Sequence, residues 1–175
     1  MSHLKIVVSQ NRIEYKGPFD LNNLFKLIDN FIWERGFEKR QEKDFEQNTP
    51  SGKFIEWQSS PWKTIYDYGQ YIIKFNITGF DVTKSDVMVE GKKKKVDNGR
   101  ILIVIDAFVN YDRDNFWEGT PLLYFWRVLH DYFIFKAYTE RFEQVLVHDV
   151  NHVHDLIEKY LNVYRHYSVI SRKAP

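Results

Sequence analysis

The stretch 100-RILIVIDAFVNY-111 alternates two sets of side chains, and both are largely apolar. Ile101, Ile103, Ile105, Ala107 and Val109 share one side of an extended chain. Leu102, Val104 and Phe108 share the other, with Asp106 among them. Period-two alternation marks a strand, and apolar residues on both sides predict one in the middle of a sheet. Upstream, 69-GQYIIKFNITGF-80 puts Tyr71, Ile73, Phe75 and Ile77 on one side and Lys74, Asn76 and Thr78 on the other. That is the pattern of an antiparallel strand with one wet face. Between these two stretches, 82-VTKSDVMVE-90 leads into 91-GKKKKVDNG-99, where Asp97-Asn98-Gly99 is the strongest turn chemistry and predicts the hairpin reversal.

Working outward, 4-LKIVVS-9 and 12-RIEYK-16 read as two short strands joined at Gln10-Asn11. Asp20 is a helix cap, followed by Leu21, Leu24, Phe25, Ile28, Phe31 and Ile32 at helical spacing, with Gly36 placed to end the helix. Residues 37–50 suggest an edge strand running into the turn 49-TPSG-52, and 53-KFIEWQS-59 alternates as a strand. Thr120-Pro121 opens a helix that is apolar nearly all round, predicting a sandwiched or interface position. A final helix spans about Thr139 to Tyr167. Strands followed by helices predict an α+β domain over residues 1–175, with a curved antiparallel sheet, helices on one face and a long C-terminal helix. A helix-grip-like arrangement is the specific expectation.

Composition narrows the function classes. With no cysteine, disulfides, thiolate metal sites and cysteine nucleophiles are excluded. Lys and Arg number 25 against 24 Asp and Glu, so net charge gives no reason to expect nucleic acid as the main partner. The longest apolar run, 121-PLLYFWRVLHDYFIF-135, is broken by Arg127, His130 and Asp131, so no membrane span is expected. A cytoplasmic protein without cofactor is the expectation.

Candidate sites follow from chemistry-bearing residues. In 147-VHDVNHVHDL-156, His148 and His152 have the i, i+4 spacing that lets two imidazoles share a metal, and Asp155 adds a carboxylate. A turn of about 100° per residue puts Leu146, Val150, Val153, Ile157, Tyr160 and Tyr164 on one stripe and these three nearly opposite, on a solvated or partner-facing side. The zincin pattern is absent, because Asp149 follows His148. Lys92, Lys93, Lys94 and Lys95 are nucleic-acid candidates, although a run at a hairpin tip equally keeps a sheet end soluble. Asp106, on a buried strand, is a pocket candidate with Tyr71 and Trp57. Its structural reading is a carboxylate that accepts hydrogen bonds from a helix end, pairs with Arg127 or Lys74, or surfaces where the strand ends. The loop 112-DRDNFWEGT-120 resembles a calcium loop only loosely, since Phe116 stands at the third ligand position. Trp117, Trp126 and Phe133, with His148 and His152, are interface candidates.

The segments 15-YKGPFDL-21, 53-KFIEW-57, 114-DNFWEGTPLLYFWRVLHDYF-133 and 149-DVNHVHDLIEKYLNVYR-165 together resemble a family of small archaeal proteins of uncharacterised function. That resemblance spans the chain and implies a cytoplasmic, archaeal protein, with no catalytic residue to carry over. No catalytic constellation is legible in the residues. The leading expectation is a non-enzymatic interaction or assembly module acting through aromatic-rich surfaces on another protein or itself. The alternative is a binder of small hydrophobic ligands, or a hydrolase, with a pocket between sheet and C-terminal helix.

Overall fold

The computed structural model describes residues 4–66, 69–89, 92–110 and 136–165. Their order is β1 (Leu4–Phe19), α1 (Leu21–Glu34), β2 (Gln41–Thr49), β3 (Gly52–Ser59), β4 (Trp62–Tyr66), β5 (Gly69–Val89), β6 (Lys92–Asn110) and α2 (Lys136–Arg165). The strands form one open antiparallel sheet in the order β1-β6-β5-β3-β2. β4 pairs with β5 beyond the end of β3, along the same edge. The protein is α+β.

β6 lies between β1 and β5, as its two apolar sides require. Ile101, Ile103, Ile105, Ala107 and Val109 are fully buried, as are Ile73, Phe75 and Ile77 on β5. Both described helices pack on this face. α2 presents Leu146, Val150, Val153, Ile157 and Leu161, and α1 presents Leu24, Ile28, Phe31 and Ile32, all in one core cluster with the sheet. Each such side chain contributes about 1.5–3 kcal/mol by leaving water. Polar ties fix the layers. The Tyr71 hydroxyl donates to the Phe142 carbonyl at 2.8 Å, and Arg35 pairs with the buried Asp149 of α2 at 3.3 Å.

α1 starts and stops where its residues dictate. The Asp20 carboxylate accepts from the Asn23 amide at 3.2 Å, and Gly36 ends the helix with φ 69. β2, along the free edge beyond β3, is polar and charged and exposed over nearly its whole length, which discourages pairing with another sheet.

Two expected turns are instead strand. Gln10-Asn11 does not separate two strands. It lies inside the single strand β1, at a bulge where Gln10 takes φ 54 and its amide donates to Asp106 Oδ1 at 2.7 Å. A neighbouring strand thus satisfies the donor that the bulge removes from the ladder. Asp97-Asn98-Gly99 likewise sits within β6, opposite a bulge of β5 where Asp81 has φ 53. Gly99 is needed for close approach rather than for a turn: a Cβ there would meet the Phe80 carbonyl oxygen at 2.8 Å. The ladder runs on to the pair Val89–Lys92. The short strand β4 carries no signal strong enough to predict it from sequence.

Candidate functional site

Among the described residues, the face of the sheet turned away from both described helices carries an unusual surface. Strand register defines its rows. Ile6 pairs with Phe108, Phe108 with Ile72, and Ile72 with Trp62, so one row of large apolar side chains crosses β1, β6, β5 and β4. Ile6 is 59% exposed and Leu4, one row outward, 50%. Phe108, Ile72 and Trp62 are each partly exposed. A depression of about 500 Å³ opens over the row, lined among others by Leu4, Trp62, Ile72, Lys74 and Phe108.

Further along the same face the rows turn polar, with Arg12–Val104–Asn76–Gln58 and then Glu14–Leu102–Thr78–Glu56. At its far end stands a second apolar patch. The Phe54 ring lies 5.6 Å from Phe80 and 6.5 Å from Phe45, and Arg100 sits over Phe80 at 4.6 Å. An apolar patch therefore stands at each end, with paired charges between, including Arg12–Glu14 at 3.5 Å and Lys43–Glu56 at 2.6 Å. Scattered surface apolar residues are ordinary, whereas this row is contiguous across four strands.

The residues singled out from sequence are dispersed. Asp106 faces outward beside its cross-strand neighbour Lys74, whereas Tyr71 and Trp57 face the core at 5% and 4% exposure, so the trio does not meet. Trp57 stacks on Phe25 at 4.9 Å beneath α1. The layers between sheet and α2 are filled by side chains without exposure, and the described depressions lie elsewhere. His148, His152 and Asp155 are exposed on α2, and His152 lies 6.2 Å from the Phe31 ring. Among the described residues no group of three His, Cys, Asp or Glu side chains could hold a metal ion. Trp117, Trp126 and Phe133 lie outside the described residues, as does the loop at 112–120.

The lysine run lies in the β5–β6 ladder rather than in a loop. Lys93 and Lys95 are exposed, but Lys94 pairs with Asp20 at 3.1 Å. That hydrogen bond to the Asp20 carboxylate, with Tyr164 nearby, raises the Lys94 pKa above the usual lysine value. Tyr160 donates to the Asp20 carbonyl at 2.7 Å; burial pushes its phenol well above the usual range, and Tyr164 adds to the shift. Asp97, 6% exposed, accepts from the Leu21 amide at 3.4 Å and pairs with Lys84 at 2.6 Å. This end of the β5–β6 hairpin thereby holds the start of α1 and the end of α2, where Val87 and Val96 pack with Tyr164. These groups do structural work.

Sequence reasoning missed the outer row. The signal was present in β6, whose second apolar side was read only as evidence of a central strand. Among the described residues no helix is long and apolar enough to cross a membrane. No family model, curated protein or solved structure matches the chain.

Proposed function

We propose that the protein is a non-enzymatic interaction module that docks a protein partner on the outer face of its sheet. The observation that supports this is the row Ile6–Phe108–Ile72–Trp62, solvent-facing across four strands beside a depression of about 500 Å³. Burying such a row at about 25 cal/mol per Å² provides the drive for association, and the aromatic members supply the anchors that interfaces favour. The finer fold reading is helix-grip-like: β1 beside the last strand, a helix directly after β1, and a long final helix held against the sheet. In this reading the gripped side is a packed core, and the working surface is its reverse. A pocket between sheet and α2 draws no support from side chains that already fill that space. A cytoplasmic setting and the archaeal resemblance belong to the same proposal.

The test is affinity capture with the tagged full chain, comparing wild type with Ile72→Glu/Phe108→Glu and with His148→Ala/His152→Ala. Circular dichroism checks that each variant is folded. Bound protein lost only from the outer-face variant supports the reading. Binding abolished by the histidine variant and untouched by the outer-face variant overturns it.

A further inference from the structure

We draw no further inference here: the strongest candidate, the depression of about 500 Å³ on the outer face of the sheet, lined among others by Arg40, Lys74, Trp62, Ile72 and Phe108, belongs to the surface already described, and nothing in the structure shows what covers it.

Discussion

Ile72 and Ile73 are adjacent, identical in chemistry and on opposite faces of β5, so alanine at each isolates what the two faces do. Ile73 is fully buried, whereas Ile72 is partly exposed. Ile73→Ala removes three carbons, about 2.4 kcal/mol at about 0.8 kcal/mol each. The cavity left between β5 and the helices raises the cost to about 3–4 kcal/mol. Ile72→Ala forfeits only part of that transfer energy and leaves no enclosed void, so about 1 kcal/mol is expected. Urea unfolding followed by tryptophan fluorescence reads the difference. With a slope of about 2 kcal/mol per molar, the midpoint falls by about 1.5–2 M for Ile73→Ala and by about 0.5 M for Ile72→Ala. Equal midpoint shifts in dilute protein, or a larger one for Ile72→Ala, would refute the assignment of the two faces.

Gly99→Ala brings a Cβ to 2.8 Å from the Phe80 carbonyl oxygen, so thermal unfolding should show a loss of about 1–3 kcal/mol although the residue has strand geometry. Tyr160→Phe removes the donor to the Asp20 carbonyl and should cost about 1 kcal/mol by urea titration. Tyr160 and Lys94 both have raised pKa values, so both hold a proton more tightly folded than unfolded. Their contribution is complete below the ordinary values of 10.0 and 10.5 and is lost as pH rises above them, so stability should fall above about pH 10. Tyr160→Phe/Lys94→Met should flatten that alkaline limb in denaturation measured across pH. His148→Ala/His152→Ala should leave the unfolding midpoint within about 0.5 kcal/mol of wild type, because both side chains are exposed.

Much of this architecture is legible in the residues because the local signals agree with the packing. Asp20 and Gly36 bound α1, and the stripe from Leu146 to Ile157 is the buried face of α2. The alternation in β5 and β6 separates core from outer face. The failures share a cause. Gln10-Asn11 and Asp97-Asn98-Gly99 have turn composition, but composition does not distinguish a reversal from a bulge within a long strand. That choice depended on Asp106 and on the Phe80 carbonyl, which are distant in sequence. The outer row was hidden for a similar reason. Ile6, Ile72 and Trp62 come from separate segments, and only strand register aligns them with Phe108. In the histidine-rich stretch, conspicuous in sequence, His148 and His152 lie on the exposed side of α2, and among the described residues no third ligand joins them.

The central claim is that the outer face of the sheet is the surface the protein works through. Hydroxyl-radical footprinting of the full chain, alone and then with the protein it captures, tests it most directly. The account predicts that Ile6, Trp62, Ile72 and Phe108 lose reactivity on association while His148 and His152 keep theirs. Protection of the two histidines with an unchanged outer row would contradict it.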